Sequence, residues 1–111
     1  MAVPDIYTEG LAAGWKIIDA STLAGPQTLE ADVAIVGSGA GGGVAAEILS
    51  LAGLKVLLLE EGPLKTSDSF KDMDEARAYR DLYQEGGARA TSDGAIAVLQ
   101  GRAVGDRKSV V

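Results

Sequence analysis

Apolar positions along the chain fall into runs separated by glycine-rich or charged stretches. Residues 31–36, ADVAIV, are short, β-branched and bounded by glycine, the pattern of a buried strand. Residues 42–52 carry Val44, Ile48 and Leu51 at i, i+4 and i+7, with Ala45, Leu49 and Ala52 beside them. That spacing predicts a helix with a broad apolar face, and Gly53 can close its C-terminus. Residues 55–60, KVLLLE, are apolar without alternation, as in a strand covered on both faces. Strand, helix and strand in succession make a βαβ unit, whose crossover sets the strands parallel. The expected class is α/β: a Rossmann-like βαβ unit within an incomplete domain.

Around this unit the pattern is looser. Residues 1–30 read as a lead-in, with a short helix, an extended piece at 15–18 and a turn cluster at 24–28. Trp15 reads as a packing residue. Residues 68–83 predict a charged helix, with Phe70, Met73, Ala76 and Tyr79 close to helical spacing and Tyr83 after them. Residues 85–94 read as a loop, 95–99 (AIAVL) as a third short strand, and 101–105 (GRAVG) as a second glycine-bounded turn.

Composition narrows the chemistry. At 111 residues the chain is one small domain, and three strands would leave a bare sheet edge and little core. Its 16 acidic and 10 basic residues, a net charge of −6, argue against a nucleic-acid surface. No apolar run approaches the roughly 18 residues of a membrane span. The opening MAVPDIYTEG lacks the basic and apolar regions of a secretory signal, so a cytoplasmic location is expected. Cysteine and histidine are both absent. Their absence removes disulfides, thiolate ligands, cysteine nucleophiles and the commonest general base. No residue is assigned a catalytic or metal-binding role.

The candidate chemistry lies between the first strand and the helix, where five glycines occupy residues 37–43. Gly37, Gly39 and Gly42 spell GxGxxG. The first glycine suits a tight turn off the strand, the second a close approach of backbone to a pyrophosphate, and the third close helix–strand packing. Ser38, Ala40 and Gly41 fill the loop between them. The helix N-terminus behind it offers unpaired N–H groups and a positive dipole end to phosphates. Glu60 follows Gly39 by about 20 residues at the end of the second strand, where a carboxylate accepts from ribose hydroxyls. Glu61 is the alternative acid. The residues alone leave open NAD and FAD as ligands, a flexible glycine linker, and a tightly packed helix start without ligand.

Two stretches together resemble a known family. Residues 32–63, DVAIVGSGAGGGVAAEILSLAGLKVLLLEEGP, resemble the opening of the glucose–methanol–choline (GMC) flavoprotein oxidoreductases, especially their bacterial alcohol-dehydrogenase-like members. Residues 99–105, LQGRAVG, resemble the start of that family's second signature, a Gly-Arg-x-apolar-Gly-Gly-Ser turn along the flavin. The resemblance implies FAD as cofactor, its ADP part on Gly37, Gly39, Gly42 and Glu60, with Gly101, Arg102 and Gly105 on the second signature. It implies a small-molecule alcohol substrate in a longer protein, with hydride passing to flavin N5. The family's catalytic histidine and its partner lie near the C-terminus of much longer chains. The competing readings are the N-terminal unit of an NAD-dependent dehydrogenase and a non-enzymatic dinucleotide-binding module.

After Gly105 the resemblance stops, because Asp106 stands where the family has a further glycine. Residues 106–111, DRKSVV, read as a non-native tail, matching one frame of a common sequencing adapter, with a frameshift or a genuinely short protein as alternatives. The expected organisation is a lead-in at 1–30, an incomplete FAD-binding domain at 31–105, and that tail.

Overall fold

The computed structural model describes residues 5–105, so the tail at 106–111 lies outside the described residues. In chain order these hold α1 (Ile6–Ala12), β1 (Val33–Val36), α2 (Ala40–Leu51), β2 (Val56–Leu59), α3 (Ser67–Phe70) and α4 (Glu75–Leu82). The two strands pair in parallel, Val33 opposite Val56 and Val36 opposite Leu59, with α2 between them in sequence. This is the expected α/β class, a truncated Rossmann-like βαβ unit. Both strands are shorter than the sequence suggests. Backbone bonds run one residue past each end, from the Asp32 N–H to the Lys55 carbonyl at 2.8 Å and from the Gly37 N–H to the Leu59 carbonyl at 2.7 Å, and the Lys55 N–H donates to Asp32 Oδ2 at 2.7 Å.

Helix α2 begins at Ala40, two residues before its expected start. Gly39 is the N-cap, extended at ψ −169°, and the first intrahelical bond runs from Gly43 N–H to the Gly39 carbonyl at 2.8 Å. The glycines therefore form the first helical turn, where amides precede any i−4 partner. At the other end Gly53 takes φ +90°, a left-handed conformation that suits glycine. Its N–H reaches the Ser50 carbonyl at 3.0 Å, and the Leu54 N–H reaches Leu49 at 3.1 Å, the two bonds of a Schellman motif.

The helix packs on one edge of the expected broad face, the side of Ala45 and Leu49. Ala45, Ala46 and Leu49 are half-buried, whereas Val44, Ile48 and Leu51 are exposed, Leu51 at 81%. Helix α2 is apolar nearly all round, so periodicity alone does not select a face. The smallest residues do. A side-chain carbon at Gly42 would strike the Gly37 carbonyl and stand 3.4 Å from Ile35 Cγ2. Only glycine permits that approach. The first strand, expected to be buried, alternates, with Val33 and Ile35 half-buried and Val36 exposed at 85%, and β2, expected to be covered on both faces, has Val56 and Leu57 half-buried and Leu58 and Leu59 exposed. Among the described residues no apolar side chain is fully buried.

Two further expectations fail. The helix expected at 68–83 is split into α3 and α4, because Asp74 caps a new start by accepting from the Arg77 N–H at 2.8 Å. Residues 95–99 form no strand. They fold back on 89–91 through one antiparallel bridge, Ala90 to Ala97, closed by Asp93 accepting from Thr91 Oγ1 at 2.5 Å and from the Ala95 N–H at 3.1 Å. A strand needs a neighbour of its own length, and the β1–β2 sheet offers none here. In the lead-in, α1 forms behind an Asp5 cap, and Trp15 covers Gly10 so closely that a side chain there would enter its ring.

Candidate dinucleotide-binding site

The C-terminal ends of β1 and β2 lie side by side, so the turn after each comes to one edge of the sheet. Ligands of open parallel sheets bind at this edge. Leaving β1, Gly37 takes φ +95° and turns the chain away from the sheet, Ser38 points inward, and Gly39 opens α2. Leaving β2, Glu60 turns back toward the same place. Its Oε2 accepts from the Ser38 N–H at 2.9 Å and from Ser38 Oγ at 2.7 Å, and its Oε1 accepts from the Gly62 N–H at 2.9 Å. Partial burial pushes the Glu60 carboxyl up, but the Ser38 hydroxyl and the Gly62 and Ser38 amides outweigh it. They hold the group below the ordinary glutamate value, ionised.

The second glycine turn arrives over this arrangement. The Gly105 N–H donates to Ser38 Oγ at 2.7 Å, and the Val104 N–H donates to the Pro63 carbonyl at 3.1 Å. Gly101 pairs with Tyr83, flanked by bonds from Gln84 N–H to the Gln100 carbonyl at 2.9 Å and from Arg102 N–H to Leu82 at 2.6 Å. An open cleft of about 380 Å³ results, lined by Val36, Gly37, Gly39, Leu59, Glu60, Glu61, Gln84, Gln100 and Gly101. Its volume falls in the range of roughly 300–1,000 Å³ usual for small-molecule sites.

Of the residues singled out from sequence, Gly37, Gly39, Glu60, Glu61 and Gly101 line this cleft. Ser38 donates to Glu60 and accepts from the Gly105 N–H, while Ala40, Gly41 and Gly42 form the first turn of α2. The two acids separate in role. Glu60 is tied to the glycine turn. Glu61 is exposed, accepts from Gln84 Nε2 at 2.6 Å, and stands 3.7 Å from Arg102 Nε. Arg102 therefore faces an acid of its own chain.

Gly62 is not among the residues singled out from sequence, yet backbone closes on it. A side-chain carbon there would lie 2.5 Å from Ala103 N and Arg102 C and 2.6 Å from Ala103 Cα, all rigid backbone. Gln84 and Gln100 also join the cleft from a segment whose sequence carries no motif. The position of Gly62 directly after the paired acids was a usable signal. Nothing local marks the two glutamines.

The residues present fit the ADP part of a dinucleotide: a glycine at the helix cap, helical amides before the first i−4 bond, and an ionised acid at the end of the neighbouring strand. Comparison with known proteins agrees. The FAD binding domain family model matches residues 30–106. A long-chain-alcohol oxidase of Arabidopsis thaliana is 44% identical over 82 residues, 74% of this chain and 11% of its own length. A GMC-type oxidoreductase of Mycobacterium tuberculosis is 42% identical over 81 residues, 72% of this chain and 13% of its own length. Another, from Sinorhizobium fredii, is 43% identical over 82 residues, covering 69% of this chain and 15% of its own. The chain thus spans a small part of the curated relatives it matches. No solved structure matches it. With an FAD-binding model over most of its length and GMC-type oxidoreductases among its relatives, the chain belongs to the FAD-binding domain family and resembles the N-terminal segment of GMC flavoproteins.

Proposed function

We propose that this chain supplies the ADP-binding part of an FAD-dependent oxidoreductase acting on the CH–OH group of an alcohol. The observation that carries the reading is the meeting of both glycine turns with the Glu60 carboxylate in a single cleft. FAD, once bound, supplies the hydride acceptor, and this chain's share is to hold it. Gly39 and the first-turn amides of α2 take the diphosphate. Glu60 takes the adenosine ribose. Gln100 and Gly101, which line the same cleft, would hold the remainder of the cofactor. The alcohol class rests on relatives whose names describe long-chain-alcohol oxidases and GMC-type oxidoreductases. The membership in bacterial GMC proteins expected from the sequence is supported by the Mycobacterium and Sinorhizobium relatives, beside plant proteins of similar identity.

Glu60 carries its negative charge beside the proposed ribose position, and among the described residues no arginine or lysine lines the cleft, Arg102 standing 3.7 Å from Glu61 at its edge. That arrangement disfavours a 2′-phosphate and favours an unmodified adenosine, which both FAD and NAD possess. The choice between them is tested by joining residues 1–105 to the remainder of the Sinorhizobium fredii relative at the matched position. The purified chimera should carry flavin absorbance near one FAD per chain and oxidise a long-chain alcohol. A chimera that folds, holds no flavin and binds NAD instead overturns the proposal.

A further inference from the structure

Gln84 and Gln100 both line the cleft, and their backbones are directly opposed. The antiparallel bridge pairs Tyr83 with Gly101, and the neighbouring pair is joined by the Gln84 N–H donating to the Gln100 carbonyl at 2.9 Å. Residues opposed in this way send their side chains to one face, with Cβ atoms about 5 Å apart. Each amide is oriented by a charged neighbour. Gln84 Nε2 donates to Glu61 Oε1 at 2.6 Å, and Gln100 Oε1 accepts from Arg89 Nη1 at 2.7 Å. A carboxylate offers only acceptors and a guanidinium only donors, so neither amide can be turned round. Among the described residues Gln84 Oε1 and Gln100 Nε2 take no bond of their own. The pair therefore holds one free acceptor and one free donor, with the polarity fixed.

A strained turn stands behind this arrangement. Glu85, directly after Gln84, takes φ +53° and ψ +31°, a left-handed conformation uncommon for a residue with a side chain, and Gly86 and Gly87 follow at φ +62° and +82°. Such positions persist where their surroundings over-determine them, and they gather at ligand clamps. Here the Glu85 carboxylate meets Arg89, its Oε1 accepting from Nε at 3.2 Å and from Nη2 at 3.0 Å. Nη1 is left for Gln100. The turn thus sets one guanidinium against one glutamine of the cleft and balances its charge. What the pair offers a ligand is neutral.

We propose that Gln84 and Gln100 together bind a neutral group of the cofactor that both donates and accepts, with Gln100 Nε2 giving a hydrogen bond and Gln84 Oε1 receiving one. The inference rests on the nucleotide-binding reading above and deepens it. FAD carries this chemistry in two places. Adenine has an amino donor beside a ring-nitrogen acceptor, the edge that glutamine amides match. The flavin half has ribityl hydroxyls, each a donor and an acceptor at one atom. The phosphates only accept, and the first-turn amides of α2 serve them.

The test titrates the full 111-residue chain with FAD by calorimetry, beside Gln84→Lys and Gln100→Glu. Gln84→Lys keeps a donor for Glu61 and removes the free acceptor. Gln100→Glu keeps an acceptor for Arg89 and removes the free donor. Because each variant preserves its internal contact, urea unfolding midpoints should stay at the wild-type value. FAD affinity should fall about tenfold in both, the scale of one hydrogen bond lost with its partner left unmatched. A general charge effect on an anionic ligand would strengthen binding in Gln84→Lys and weaken it in Gln100→Glu, so a loss in both marks the pair. Titrations with ADP and with flavin mononucleotide identify the source: the loss follows ADP for the adenine edge and flavin mononucleotide for the ribityl hydroxyls. Unchanged FAD affinity, or changes of opposite sign, overturns the inference. Should either variant unfold, the side-chain amide resonances of Gln100 in the wild type decide, and their failure to move on FAD saturation overturns it as well. If the wild type binds none of the three ligands, the nucleotide-binding reading falls; if it binds FAD and both variants bind it equally well, only the glutamine pair falls.

Discussion

Replacing Gly62 by alanine places a methyl carbon 2.5 Å from Ala103 N and Arg102 C and 2.6 Å from Ala103 Cα. Carbon atoms in ordinary contact stand about 3.5 Å apart or more, so the two backbones must part by about 1 Å. No side chain can rotate to absorb this, because every atom met is main chain. The bonds that bridge the two segments nearby are Val104 N–H to the Pro63 carbonyl at 3.1 Å and Gly105 N–H to Ser38 Oγ at 2.7 Å. The Gly62 N–H to Glu60 Oε1 bond, at 2.9 Å, shifts with them. A neutral bond is worth about 1 kcal/mol net and one to a charged group about 1.5–3 kcal/mol, so losing two or three costs about 2–5 kcal/mol. Urea unfolding of Gly62→Ala beside Gly43→Ala measures it. The side-chain carbon at Gly43 meets only the Ser38 carbonyl at 3.9 Å, an ordinary contact, and a helical alanine there should gain about 0.5–1 kcal/mol. Equal stability of Gly62→Ala and wild type, with unchanged ADP affinity, would refute the close approach.

Other perturbations test separate parts. Glu60 sits below the ordinary glutamate value, 4.5, so its carboxylate contributes stability above that pH and loses it as pH falls through the lower folded value. The unfolding midpoints of wild type and Glu60→Gln should therefore differ at neutral pH and converge in acid, read by circular dichroism. Asp5 accepts from the Ser67 N–H and hydroxyl and is lowered from 3.8 to about 2, chiefly by the Ser67 amide. Its link between α1 and α3 should hold above 3.8 and be lost as pH falls toward about 2, with the Asp5 carboxyl and Ser67 amide resonances moving together. Leu51→Ser, on the exposed line of α2, should lower hydrophobic-dye binding and change stability by less than about 0.5 kcal/mol. Leu49→Ala, half-buried on the seam against the sheet, should cost about 1–2 kcal/mol, scaled down from a fully buried leucine.

The parts of the fold that local chemistry dictates were legible. The apolar β-branched run, the glycines and the acid after KVLLLE each carry their own signal, and β1, α2, β2 and Glu60 fall where those signals place them, within two residues. What failed depends on partners far along the chain. Val44, Ile48 and Leu51 have helical spacing, yet the seam runs through Gly42, Ala45 and Leu49, because close approach favours small residues. Residues 95–99 have strand composition and no strand to pair with. The break between α3 and α4 was written in Asp74 as a cap, a local signal overridden by the apolar spacing around it. At the site, the junction of the two glycine turns was expected only through the family resemblance. The reasons for it, Ser38 Oγ between Glu60 and Gly105 and the bare backbone of Gly62, exist only once the chain has folded.

The central claim is that the turn from Gly37 to Gly42, with Glu60 beside it, binds the ADP part of FAD. An amide NMR titration of the 111-residue chain with ADP, run in parallel on Gly39→Val, tests it most directly. In the wild type the saturating shifts should concentrate at Gly37, Gly39, Ala40, Gly41, Gly42 and Glu60. In Gly39→Val, where a branched side chain would fill the proposed phosphate position, they should vanish while the β1–β2 resonances stay in place. Saturable shifts that persist at the same residues in Gly39→Val, or that centre elsewhere on the chain in the wild type, would contradict the account.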